Sequence, residues 1–371
     1  MKIILDKSGT PDNFANLLAL LDADAEVGGI LILTCDENGF TPENVNGYLQ
    51  ATIKPVLGGV FPQILHGAEH LNRGTIAVGL PSIPRLALIE DVSQGNKDWD
   101  GVLTSAIPEA SCAKAKTMLV FVDGFSSRIS AVINALFNNF GLDINYLGGG
   151  GGSLTLVQKP CIISNCGLLQ DAVVIAMLDM PSGVGVAHGW RPISDAFKVT
   201  EATGNIVHSL DWKPAYQVYK EVVEGHSGKF FDADNFFSMA KAYPFGITRL
   251  GAEMVVRDPL MTRGDSLVCV GEVHQGSFVR VMNGDQSSLI AAASMARDLA
   301  IKDKGSQAEH AEMFIDCVSR VLFLEDNFDL ELVAVRDKRL PLFGALTIGE
   351  IANNGNDYLE FYNKTAVVGL F

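Results

Sequence analysis

The sharpest chemical feature of the sequence is a run of five glycines, Gly148–Gly152, set directly after an apolar segment. Backbone this free is costly to order, and it lets a ligand come close to main-chain N–H groups. No Gly-Lys-Ser/Thr follows, so the run is not a Walker loop. Ser153-Leu154-Thr155-Leu156-Val157 reads as strand rather than helix, which excludes a dinucleotide fingerprint. Two readings stand: ligand contact through Gly149, Gly150, Gly151 and Gly152, or a tight turn where two sheets approach.

Other groups could do chemistry. His66-Gly67-Ala68-Glu69-His70 matches H-x-x-E-H, in which imidazoles one helical turn apart hold zinc and a glutamate polarises its water. Gly58-Gly59, Pro62 and Gly67 argue against a helix here, so a pair of hairpin histidines is the better reading. His188-Gly189-Trp190-Arg191-Pro192 gathers an imidazole, an indole and a guanidinium that suit a carboxylate or a planar ligand. The alternative is an inter-domain anchor, with Trp190 packed and Arg191 paired to an acid. Cys317 lies near Arg320 at a strand tip, where a guanidinium would favour thiolate, although a buried inert thiol is commoner. Glu350, just after Gly349, is placed either to accept a ligand's ammonium or to pair with Arg320. No Ser/His/Asp set follows from spacing, and Gly185 to Gly189 is not a nucleophile elbow.

A repeated unit must position these groups. Ile30-Leu31-Ile32-Leu33-Thr34-Cys35 is an apolar run with a polar tip, and Leu57-Gly58-Gly59 begins 27 residues after Ile30. Leu119-Val120-Phe121-Val122-Asp123 and Phe314-Ile315-Asp316-Cys317 repeat it, with Leu147-Gly148-Gly149 and Leu342-Phe343-Gly344 each beginning 28 residues on. Closing apolar runs follow at 76–80, 173–178 and 366–370. Asp123 thus falls at a strand tip, approximately aligned with Cys35 and Cys317 in the repeat. Each unit reads strand, helix, strand, glycine turn, hairpin, and a right-handed crossover makes its first two strands parallel.

The helix periods are plain in two units. Ile129, Val132, Ile133, Leu136, Phe137 and Phe140 share one face, with Ser126 or Ser127 to cap it and Gly141 to end it. Thr41-Pro42 opens a helix with Val45, Tyr48, Leu49 and Ile53 on one face. The third counterpart, 324–335, is weaker. Elsewhere Thr10-Pro11 starts a helix bearing Phe14, Leu17, Leu18 and Leu21. Pro214 starts one with Ala215, Val218, Tyr219, Val222 and Val223, ended by Gly225. Asp285 caps a long alanine-rich helix with Leu289, Ala293, Ala296 and Leu299 inward. Residues 245–283 read as a β-meander of 254–257, 266–273 and 277–282, broken at Asp258-Pro259, Gly264-Asp265 and Gln275-Gly276. The fold class is α/β in the α+β sense: mixed, layered sheets flanked by helices. The domains are 1–210, with repeat units at about 30–80 and 117–190, and 211–371. No flexible linker divides them, so an interface is expected.

Composition narrows the function classes. The chain has 371 residues, 48% hydrophobic and 19% charged, which excludes disorder. A net charge of −15, with Lys and Arg scattered, disfavours nucleic acid and anionic membrane surfaces. No run of about 18 apolar residues is available to insert in a bilayer. The first residues become acidic too soon for a secretory signal. The six cysteines, Cys35, Cys112, Cys161, Cys166, Cys269 and Cys317, form no zinc spacing and fit free thiols in a cytoplasmic protein.

Leu342-Phe343-Gly344-Ala345-Leu346-Thr347-Ile348-Gly349-Glu350-Ile351, followed by Phe361-Tyr362-Asn363-Lys364-Thr365, resembles the closing signature of FIST domains. Cys317 with Arg320 and Met254-Val255-Val256-Arg257-Asp258-Pro259 are similar to the same C-terminal module. The 119–123 run, Gly148–Gly152, His188 to Pro192 with Val199-Thr200, and Pro214-Ala215 resemble the N-terminal module and the junction. The sequence departs in having Gly-Gly-Ser where the family has Gly-Ala-Gly after the glycine run. The resemblance implies a sensory protein that binds a small molecule, such as an amino acid or another metabolite. It implies signalling through a separate partner, a histidine kinase or a cyclic-di-nucleotide enzyme; charge and the lack of a long apolar run add the expectation of no nucleic acid and no membrane insertion. The expected ligand-binding set is Asp123, Gly149, Gly150, Gly151, Gly152, His188, Arg191, Cys317, Arg320, Gly349, Glu350 and Asn363. No cofactor is expected; the family alternative is a nitric-oxide sensor with haem b, on His188 first and on His66 or His70 next. A zinc- or thiol-dependent hydrolase ranks last.

Overall fold

A computed structural model describes residues 1–108, 115–232, 234–249, 254–307, 310–353 and 358–371. Cys112 and the 250–253 part of the expected meander lie outside them. Each of the three apolar runs forms the central strand of its own six-stranded sheet. Gly29–Cys35 pairs parallel with Val56–Phe61, Thr117–Asp123 with Asn145–Gly151, and Glu312–Cys317 with Leu342–Thr347. On the other flank each meets its closing strand antiparallel: Thr75–Leu80, Val173–Leu178 and Ala366–Leu370. Lys2–Asp6, Arg85–Ile89 and Gly183–Ala187 then form the sheet edges. The central strands are buried along their whole length, which is why they read as unbroken apolar runs.

The register makes the repeat stricter than equal spacing suggests. Gly58 lies opposite Ile32, Gly148 opposite Val120, and Gly344 opposite Phe314. At all three a Cβ would stand 1.8 Å from the partner's carbonyl oxygen, so only glycine lets the strands approach. The helical insert varies in length while the glycine keeps its partner. The same register places Cys35, Asp123 and Cys317 at equivalent strand tips, opposite Phe61, Gly151 and Thr347.

The hairpins are exchanged around the ring of units. Gln63–His66 of the first unit pairs with Leu342–Thr347 of the third, and Ile162–Ser164 of the second with Val56–Phe61 of the first. Glu350–Ala352 of the third pairs with Asn145–Gly151 of the second. In each case a hairpin residue (Leu65, Ile163 or Ile351) meets the equivalent glycine. His66 and His70 are therefore hairpin residues.

The 245–283 region is not a free meander. Val255–Arg263, Ser266–Val270 and Phe278–Asn283 join Phe197–Thr203, Ile206–Leu210 and Phe245–Ile247, and the last pairs with both Val255–Arg263 and Phe278–Asn283 to close a barrel. Strands from either side of residue 210 thus share one barrel. Asp258-Pro259 does not break its strand; the ladder runs through it, with a register irregularity between Pro259 and Met261.

Several local expectations change. Residues 153–157 are turn and coil rather than strand. Neither Ser126 nor Ser127 caps Ile129–Phe140: Arg128 holds that position, and the Ser126 hydroxyl donates to Asp171. Gly141 does end that helix. Ile53 falls beyond Pro42–Ala51 and is 90% exposed. Gly225 lies inside Ala215–Ser227, which Gly228 ends in a left-handed conformation. Of the weak third helix at 324–335, Phe328–Val335 is α-helix, Glu325–Asn327 is a 3-10 turn and Leu324 ends a separate helix, Val318–Leu324. Asp285 caps Gln286–Lys304 as expected, and its alanines let Gly183–Ala187 pack directly on the helix. Among the described residues no helix is long and apolar enough to cross a membrane.

Candidate functional site

The glycine run lies where the three units meet. Gly150 N–H donates to the Gly349 carbonyl at 2.8 Å, Ile348 N–H to Gly150 at 2.9 Å, and Gly152 N–H to Val60 at 2.9 Å. A Cβ at Gly149, Gly150 or Gly151 would meet backbone of Gly349, Ile348 or Val60 within 3.0 Å, and one at Gly152 the Phe125 ring at 2.8 Å. The main-chain donors are turned to the neighbouring units, which is the sheet-approach reading. Asp123, opposite Gly151 in the ladder, accepts from Gln158 at 2.8 Å and from the backbone N–H groups of Phe125 at 3.0 Å and Asp171 at 2.8 Å.

Around the third strand tip the structure gathers a buried ionic centre. Arg320, wholly buried, pairs with Asp316 at 3.0 Å and with Glu331, and donates to the carbonyls of His188 at 2.8 Å and Leu289 at 2.9 Å. Arg320 therefore pairs with neither Glu350 nor the Cys317 thiol. Glu350 contacts the Thr347 hydroxyl at 3.0 Å and accepts from Thr365 N–H at 3.3 Å. Burial pushes its carboxyl up to about 8. Burial, with Glu350 beside it, also pushes the Cys317 thiol well up, so Arg320 does not make it a thiolate. Gly349, at φ +92°, packs on the Phe361 ring.

Lys364, also at 0% exposure, pairs with Asp258 at 3.0 Å and stands 5.2 Å from the Trp190 ring centre. Trp190 returns an indole N–H to the Lys364 carbonyl at 3.1 Å. His188 Nδ1 accepts from Trp190 N–H at 2.9 Å, its ring also engages the Met254 backbone, and burial beside Arg320 lowers it to about 4. Trp190 is thus the packed anchor, but Arg191 is exposed on a short edge strand paired with Asn283.

A cavity of about 180 Å³ opens next to this centre, between Ile129–Phe140 and the barrel. Ile133, Phe137 and Phe361 form its apolar wall; Arg249, Arg257, Glu272 and Glu360 supply charge, and His274 adds an imidazole. Arg249 pairs with Glu360. Arg257 reaches back to Asn363 Oδ1 at 3.5 Å, while the Asn363 amide nitrogen is buried without a partner. None of the twelve residues singled out in the sequence lines this cavity. Arg257 had a usable signal, a charge inside an apolar strand run; Asp258, Asp316 and Lys364 carried the same signal at the ionic centre. Glu272, His274 and Glu360 had none.

Haem needs an imidazole nitrogen free for the iron. His188 Nδ1 is taken by the Trp190 N–H and its ring is buried beside Arg320, while His70 is held by Gln63 at 2.9 Å, by Asp329 at 3.6 Å and against the Phe328 ring, so both rings are already held by protein groups. Among the described residues no three His, Cys, Asp or Glu side chains are grouped to hold a metal ion.

Comparison with known proteins gives two adjoining family matches. The model described as the FIST N domain matches residues 30–213, and that described as the FIST C domain matches residues 215–353. A protein of Methanocaldococcus jannaschii, named only as uncharacterized, is 27% identical over 106 residues, 26% of this chain. The match spans about a fifth of that protein's length (21%).

Proposed function

The chain belongs to the FIST family, whose domains are associated with sensory signal-transduction proteins, and from that premise we propose that it is a receptor for a small metabolite. The observation that carries the reading is the cavity of about 180 Å³, walled on one side by a helix of the N-terminal module and on the other by C-terminal strands. It is smaller than the ~300–1,000 Å³ of sites for drug-sized ligands, which suits an amino acid or a metabolite of similar size. Groups of both charge signs beside an apolar wall fix orientation as well as affinity. A ligand held there touches both modules, so its binding free energy acts on how the helix packs against the barrel. The output then passes to a separate protein, a histidine kinase or a cyclic-di-nucleotide enzyme.

Thermal-shift screening of the full chain against amino acids and small metabolites tests the proposal. At least one compound should raise the melting temperature in a saturable way. Ser130→Trp, which places a bulky side chain at the cavity wall from a half-buried helix position, should abolish that shift while the protein stays folded. No shift with any compound, or a shift that survives Ser130→Trp, overturns the reading.

A further inference from the structure

Arg257 differs from the other two cations of the buried centre. Arg320 has Asp316 and Glu331, and Lys364 has Asp258. Arg257 is only 5% exposed, yet its Nε donates to the Glu272 carbonyl at 3.0 Å and its Nη1 to the Val256 and Phe361 carbonyls at 3.0 Å. The remaining contact, to Asn363 Oδ1 at 3.5 Å, is also neutral. Among the described residues no carboxylate pairs with it, Nη2 has no hydrogen-bond partner, and the side chain lines the cavity. The cavity's two acids are turned to other work or stand off: Glu360 is taken by Arg249, and Glu272 offers Arg257 its main-chain oxygen.

A guanidinium this buried, with Nε and Nη1 on carbonyl oxygens and no carboxylate paired to it, is under-compensated for the water it has lost. The two N–H donors left on Nη2 suit an oxyanion better than a neutral or cationic guest. We infer that Arg257 is the anchor for an oxyanion, carboxylate or phosphate, carried by the small molecule that enters this cavity. The inference rests on the receptor reading and narrows its ligand class: neutral and purely cationic metabolites are excluded. Burial opposes the Arg257 charge while Glu360 supports it, so the oxyanion finds the cation intact but under-neutralised. Glu272 is left for a donor elsewhere on the same molecule.

The test titrates the full chain with acetate, glycine and inorganic phosphate at constant ionic strength, beside acetamide and glycinamide as uncharged-end counterparts. At least one oxyanion should bind, with its amide about tenfold weaker or worse. Acetate or glycine without phosphate identifies a carboxylate ligand; phosphate alone identifies a phosphate ester. Arg257→Gln should lose about tenfold or more in affinity, and Arg257→Lys should recover part of it. Should Arg257→Gln fail to fold, Glu272→Gln serves: removing a nearby negative charge should tighten oxyanion binding several-fold. Amides binding as well as acids, full affinity in Arg257→Gln, or unchanged affinity in Glu272→Gln overturns the anchor. So does a wild-type chain that takes neutral or cationic metabolites at a Ser130→Trp-sensitive site but no oxyanion, a result that leaves the receptor reading intact. Absence of any ligand ends both.

Discussion

Thr347 has one hydroxyl hydrogen and two acceptors in reach, the Asp316 carbonyl at 3.3 Å and Glu350 at 3.0 Å. Both contacts are satisfied together if Glu350 is a carboxylic acid that donates to Thr347, which passes its own hydrogen to Asp316. The rise of the Glu350 carboxyl to about 8, caused first by burial, agrees with that arrangement. The unfolded chain would lose this proton near 4.5, so between about pH 4.5 and 8 the folded state binds more protons and stability falls as pH rises. Glu350→Gln removes the titration while keeping size. It should match the parent at pH 5 and exceed it at pH 8 by about 1 kcal/mol or more, measured by urea unfolding at each pH. A difference that does not change with pH would show that Glu350 is ionised throughout. Glu350 was legible as a residue with a purpose because it stands in a hairpin between Gly349 and apolar strand. Its partner was not: Arg320 looked available in sequence, and only the fold reveals Asp316 and Glu331 beside it.

Elements were legible where one period dominates, and misread where a contact from another unit decides. The apolar runs at 30–35, 119–123 and 314–317 announce buried strands, and the 129–140 spacing announces a helix. Which hairpin lies against which strand was invisible, because the partner is in another unit and leaves no local trace. The glycine run shows the same limit: its sequence fits a ligand loop or a close sheet approach equally, and the neighbouring backbone decides. That assignment makes opposite predictions for two glycines. Gly148→Ala sets a Cβ 1.8 Å from the Val120 carbonyl oxygen at φ +155° and should lower stability by about 3 kcal/mol or prevent folding. Gly225→Ala, inside a helix with nothing within 4 Å, should raise stability by about 0.5–1 kcal/mol. Denaturant unfolding reads both, and a harmless Gly148→Ala would return the run to the ligand-contact reading.

At the scale of the whole molecule, the ring of exchanged hairpins sets what can come apart. The first unit's hairpin completes the third unit's sheet, the third's completes the second's, and the second's completes the first's. The barrel adds a further tie, joining Phe197–Thr203 and Ile206–Leu210 to strands beyond residue 245. The sequence disclosed the three units, and the family matches meet at residues 213 and 215. It could not disclose that strands from both sides of that junction share sheets. Cutting the chain there should therefore not release two domains. A protease site placed in the turn at Asp211-Trp212, where Trp212 is 84% exposed, gives the test. The nicked protein should elute as one complex and melt in one transition, with calorimetric and van't Hoff enthalpies in agreement. Residues 1–211 expressed alone should show no cooperative melting, because their hairpin at 63–71 has lost its sheet. Two fragments that separate and each melt cooperatively would mean that the shared sheets contribute little. The expected single transition has a consequence for signalling: with no hinge between independent domains, ligand energy at the cavity must act by shifting packed sheets rather than by swinging one module against the other.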